Sequence, residues 1–255
     1  MSMWKCVLII LVILFGVSVS HGQQKAGTLK LKPYTFENGK GEKTPAEFGT
    51  LLVPENRNDP QSNLIELAFV RFKSTAANPG PPIVYLAGGP GGSGIGTAQG
   101  SRFPLFMAFR EIADVIAFDQ RGTGYSKPNL GCYEQLRAPL DVAPSREMAL
   151  KALRESAKGC ASYWRDIQRV DLTGYNTNES ADDLEDLRKA LGVPKISLWG
   201  ISYGTHLTFA TLRRHPQSIS RVIVAGIEGP DHTYKLPSNI QKHLEDLAAL
   251  VKADP

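Results

Sequence analysis

The sequence has little that would suit metal or nucleic-acid chemistry. Only three of its 255 residues are cysteine, and no Cys/His cluster has the spacing of a zinc site. No metal or cofactor is expected. Acidic and basic residues are interspersed, without a lysine- or arginine-rich run, so the net charge of +4 reads as a solvated mixed surface and excludes nucleic acid as a partner. No repeat or low-complexity tract appears. No apolar run spans a bilayer comfortably: Val7 to Val17 has 11 residues, against about 20 for a membrane helix.

That short run reads instead as the core of a secretory signal peptide over residues 1–22. Lys5 supplies its positive start, and Ser18-Val19-Ser20-His21-Gly22 its small-residue end, with cleavage after Ser20 or Gly22. The expected location is therefore secreted or periplasmic, with membrane contact only during export. Cys6 precedes the apolar run, which argues against a lipid attachment site. Cys132 and Cys160 remain. In an oxidising compartment they are expected to form one disulfide, and two buried free thiols are the alternative.

Residues 23–45 are polar and read as an extended lead-in. Phe48 to Val53 and Leu64 to Lys73 look like an antiparallel pair about the turn Pro54 to Pro60. Pro82 to Ala87, Asp114 to Phe118, Ile196 to Trp199 and Arg221 to Ala225 are short apolar runs, as buried parallel strands require. Between them lie helical patterns at Phe103 to Arg110, Ser145 to Trp164 and Ser180 to Leu191. The alternation predicts an α/β fold, a mostly parallel sheet with helices on both faces. Its core is expected over residues 23–235, and a helical cap begins within 236–255.

Gly200-Ile201-Ser202-Tyr203-Gly204 stands between an apolar strand and a helix. Gly-x-Ser-x-Gly in that setting is a nucleophile elbow, which exposes a serine hydroxyl on a tight, strained turn. Ser202 is the candidate nucleophile. The residue after it, Tyr203, offers one backbone N–H to a developing oxyanion. The glycine-rich loop Gly88 to Gly94, also following a strand, offers a second, assigned to Gly89. The loop has neither a Walker lysine nor a dinucleotide-binding spacing. Asp119-Gln120-Arg121-Gly122-Thr123-Gly124 is read as structural, its carboxylate and guanidinium tying a tight loop.

Together the segments Leu86-Ala87-Gly88-Gly89-Pro90-Gly91-Gly92-Ser93-Gly94, Asp119 to Gly124, Asp182-Asp183-Leu184 with Leu191-Gly192, and Gly200 to Thr205 resemble the α/β-hydrolase fold. Within it, the chain is similar to the secreted tripeptidyl and prolyl aminopeptidase group. The likeness runs from about Phe48 to Pro230. Ala87 stands where prolyl aminopeptidases carry histidine, which turns the resemblance toward the tripeptidyl branch. The resemblance implies a serine exopeptidase acting on substrate N-termini, with an Asp and a His completing a triad and a cap reading the free amino end. The substrate would be a peptide or a small ester. An ester or lactone hydrolase and a non-catalytic binding protein are the alternatives on the same fold. In this fold the acid usually follows the seventh strand and the histidine the eighth. Only one strand is legible after Ser202, so the Asp and His are expected beyond Pro255. Asp231 follows the strand after which some members place their acid. His206, His215, His232 and His243 are not expected to serve as the base.

Overall fold

The computed structural model describes residues 25–132, 145–231 and 236–253. The proposed signal segment lies outside them, as does His232. Seven strands form one mixed sheet in the order β1-β2-β3-β5-β4-β6-β7. They are β1 (Leu29–Glu37), β2 (Lys43–Pro54), β3 (Leu64–Phe72), β4 (Gly80–Leu86), β5 (Ala113–Phe118), β6 (Ile196–Ile201) and β7 (Ile219–Ala225). The first three form an antiparallel meander, which joins β5 antiparallel. The pairings β5-β4, β4-β6 and β6-β7 are parallel. The expected antiparallel pair and all four expected parallel strands are present. β7 corrects the expectation of burial: it is the last strand of the sheet, only its first residue Ile219 is buried, and Val222 and Ile223 are exposed. β1 is a correction to the extended lead-in. The alternation Leu29-Lys30-Leu31-Lys32 was its signal, but it is only four residues long and runs into Pro33; nearly all side chains of the strand are exposed, and Phe36 is its one buried residue.

Besides three short 3-10 or π segments, the described residues form six α-helices: α1 (Gly94–Gln99), α2 (Phe103–Arg110), α3 (Arg146–Ser162), α4 (Thr177–Ala190), α5 (Tyr203–Arg214) and α6 (Pro237–Ala253). Helices cover both faces of the sheet. On one face α4 and α5 bury Leu184, Leu187 and Leu207 against Val84, Leu86 and Leu198. On the other, α1 and α2 bury Ile95, Phe103 and Phe106 with Tyr85 and Trp199. The ring of Trp199 lies 4.6 Å from that of Tyr85 and 5.0 Å from that of Phe106, within the range where aromatic pairs attract beyond their buried area.

Two helix starts differ from the sequence expectation. α4 begins three residues before Ser180, because the Asn176 side chain accepts the Glu179 N–H at 3.0 Å and caps it. α1 begins inside the expected glycine loop, where Ser93 Oγ accepts the Gly96 N–H at 2.8 Å.

The long-range polar contact of the fold is a buried cluster at Asp183 on α4. Arg121 donates to both its oxygens, at 2.8 and 2.6 Å, and Arg57 donates to Oδ1 at 2.8 Å. Arg57 also pairs with Glu179 and Asp186. The structural reading of this loop holds, through separate partners: Asp119 ties the loop by accepting the Tyr125 N–H at 2.7 Å and does not pair with Arg121. Arg121 instead joins the loop after β5 to α4 and to the carbonyls of Glu55 and Gly174. Cys132 and Cys160 are bonded, with Cα atoms 5.8 Å apart, and connect the chain beyond β5 to α3.

Candidate active site

β6 ends and α5 begins across Gly200-Ile201-Ser202-Tyr203-Gly204. Ser202 immediately precedes α5 with φ 53° and ψ −124°. For a residue with a Cβ that conformation costs about 1–3 kcal/mol and persists only where its surroundings over-determine it. They do so here. Ser202 N–H donates to the Ala225 carbonyl of β7 at 2.9 Å, and the Thr205 N–H and hydroxyl both donate to the Ser202 carbonyl at 2.7 Å. The β4 side closes just as tightly. A Cβ on Gly88 would lie 2.9 Å from that of Ser202, and one on Gly204 would run into the carbonyl of Leu86. Glycine at these two positions is what lets strand end and elbow meet.

The elbow thus brings the loop after β4 beside the start of α5. Tyr203 is the first residue of that helix, where backbone N–H groups lack intrahelical partners and carry the positive end of the dipole. Among the described residues no hydrogen bond engages the N–H of Gly89 or of Tyr203. Both stay available to charge developing on a substrate oxygen. The tyrosine ring is held by its hydroxyl on Thr177, at 2.9 Å. Asp119 sets the course of the glycine loop. Its carboxylate accepts Ser93 Oγ–H at 2.7 Å, Ile95 N–H at 3.0 Å and Tyr125 N–H at 2.7 Å. Burial raises its pKa, against those hydrogen bonds.

Ser202 Oγ–H donates to Glu228 Oε1 at 3.1 Å. The sequence reading missed this residue. Glu228 lies in the turn after β7, at the strand ends where ligands collect in such sheets, and an acid flanked by Gly226 and Gly229 there was the available signal. Its backbone is fixed to α5: Glu228 N–H donates to Thr205 Oγ1 at 2.8 Å, and His206 Nδ1–H donates to the Gly229 carbonyl at 3.1 Å.

None of the described histidines hydrogen-bonds Ser202. His206 is engaged as above and stacks on Tyr203, His215 pairs with Asp182 at 2.7 Å, and His243 is exposed on α6. Asp231 is exposed too. It borders, with His206 and Phe209, a groove of about 670 Å³ along α5 that Ser202 does not line.

Sheet order, elbow and glycine loop agree with a known family. Residues 81–253 match the family model described as alpha/beta hydrolase fold. The chain belongs to the α/β-hydrolase family. Serine protease Hip1 of Mycobacterium tuberculosis is 32% identical over 72% of this chain and 36% of its own length. A tripeptidyl aminopeptidase of Streptomyces coelicolor is 30% identical over 73% of the chain and 36% of its own. A proline iminopeptidase of Xylella fastidiosa is 27% identical over 73% and 41%. The chain spans little more than a third of the length of these α/β-hydrolase relatives. Peptidase-named relatives thus accompany the resemblance drawn from the elbow and the glycine loop.

Proposed function

We propose that this α/β-hydrolase is a secreted serine exopeptidase that removes residues or short peptides from substrate N-termini through an acyl-enzyme. The observation that carries the reading is Ser202 itself, held at φ 53° between β6 and α5 with Gly88 packed against it. Ser202 Oγ attacks the scissile carbonyl. The N–H groups of Gly89 and Tyr203 receive the oxyanion, the amine leaves, and water releases the acyl group. The proton of Ser202 needs a base. None of the described histidines hydrogen-bonds Ser202: His206 and His215 are engaged elsewhere and His243 is exposed on α6. On this reading the triad's base comes from outside the described residues. Without it Ser202 reacts slowly, because nucleophile and base act as a unit. Peptidase-named relatives favour amide over ester substrates. The apolar run Val7 to Val17 supports export.

A fluorophosphonate probe applied to the protein exported by its source cells tests the reading. Wild type is expected to take the label, and Ser202→Ala to lose both label and turnover while keeping its fold. An unlabelled, folded wild type beside a labelled control hydrolase overturns the assignment. Turnover of acyl esters with none of aminoacyl or tripeptidyl anilides would replace the peptidase by an esterase.

A further inference from the structure

We propose that Glu228 binds the free α-ammonium group of the substrate, so that the residue released is the single N-terminal one. The inference rests on Ser202 as nucleophile and narrows the substrate class at that same site. Its warrant is distance. Glu228 Oε1 lies 3.1 Å from Ser202 Oγ. A carbonyl carbon poised for attack sits about 3–3.5 Å from the nucleophile. The α-nitrogen of the same residue is two bonds away, about 2.5 Å from that carbon. A carboxylate oxygen next to Oγ comes within hydrogen-bond reach of that nitrogen when the substrate's α-nitrogen is turned toward the loop after β7. In a tripeptide acyl group the terminal ammonium lies two residues further out, roughly 7 Å at about 3.3–3.6 Å per residue. Glu228 does not reach it.

The carboxylate is also placed rather than loose. The turn that carries it is fastened to α5 through Thr205 and His206, the helix whose start sets Ser202. A half-buried carboxylate meeting an ammonium makes a charge-assisted bond, about twice as strong as one to a neutral amide N–H. An N-acylated substrate offers only that neutral N–H. The arrangement thus discriminates free from blocked N-termini at the residue that is cleaved.

The test measures binding without turnover. In the Ser202→Ala protein, alanine amide is expected to bind at least about tenfold more tightly than N-acetylalanine amide by calorimetry or NMR titration. Glu228→Gln, of equal size, is expected to erase the difference while leaving thermal unfolding unchanged. Equal affinity for the two ligands, absence of binding by either, or a preference that survives Glu228→Gln overturns the proposal. A second readout separates recognition from activation of Ser202. In the active exported protein, Glu228→Gln is expected to lower the ratio of kcat/KM for alanine p-nitroanilide to that for its N-acetyl form by about tenfold or more. A fall of both by the same factor assigns Glu228 to the serine proton instead. Because the binding assay needs no reactive serine, its failure is distinct from a failure of probe labelling.

Discussion

Asp183 has a fully buried side chain and accepts three hydrogen bonds from two guanidinium groups. A buried pair of this kind adds little over well-packed apolar residues, because desolvation consumes much of the attraction. Breaking one partner out of it is costly, because the remaining charges stay buried. Asp183→Asn is therefore expected to lower unfolding free energy by about 3–5 kcal/mol in urea titrations. A loss below about 1 kcal/mol would show that water enters and solvates Arg121 and Arg57. The same residues mark the limit of reading side chains locally. Asp119 and Arg121 stand two apart and invite pairing, yet each serves a different partner. Asp119 turns back to Ser93, and Arg121 crosses to α4. Ser202 was legible because its backbone demands glycine neighbours in a fixed pattern. Glu228 was not read, because the acid between Gly226 and Gly229 marks a turn after β7 but does not by itself state that β7 pairs with β6 and so delivers it to Ser202.

Helix ends tell the same story at the next scale. α2 and the tail of α4 were legible because apolar spacing and charge placement are local. The start of α4 was not placed, because acids in its first turns drew the boundary to Ser180 while Asn176 does the capping. Charge placement along α4 also has a consequence for pH. Arg188 makes a two-pronged contact to Glu185 one turn earlier, at 2.9 and 2.7 Å. That contact, against the opposing effect of burial, holds the Glu185 pKa at about 2, below its ordinary 4.5. A carboxylate with a depressed folded pKa stabilises the fold above its unfolded value and loses that contribution as pH falls through the interval down to the folded one. Wild type should therefore lose stability between about pH 5 and about pH 2, and Glu185→Gln should lose measurably less over the same span. Thermal unfolding at stepped pH checks this, and parallel curves for the two proteins would remove Glu185 from the acid response.

Over the whole molecule, stability is unevenly spread. The two core clusters take nearly all of their members from β2 to β6, α1, α2, α4 and α5. α3 has no buried residue, and Met148, Leu150 and Leu153 on its apolar stripe are exposed. Among the described residues, the bond from Cys160 to Cys132 across 28 residues ties it to the chain beyond β5. Closing a loop of that length removes about 3.6 kcal/mol of freedom from the unfolded chain. The helix has no comparable burial of its own, so the crosslink acts on it more than on the sheet. Local opening follows from few buried contacts and exposed backbone bonds. Reduction is accordingly expected to strip hydrogen-exchange protection from residues 146–162 while β4, β5 and β6 stay protected, because the members of the Trp199 cluster and of the Asp183 network all lie outside residues 132–160. Peptide-level exchange with and without a reductant measures it. Equal loss of protection in α3 and in the central strands would mean that the crosslink supports the core itself, and that the fold between β5 and α4 is less autonomous than its packing implies.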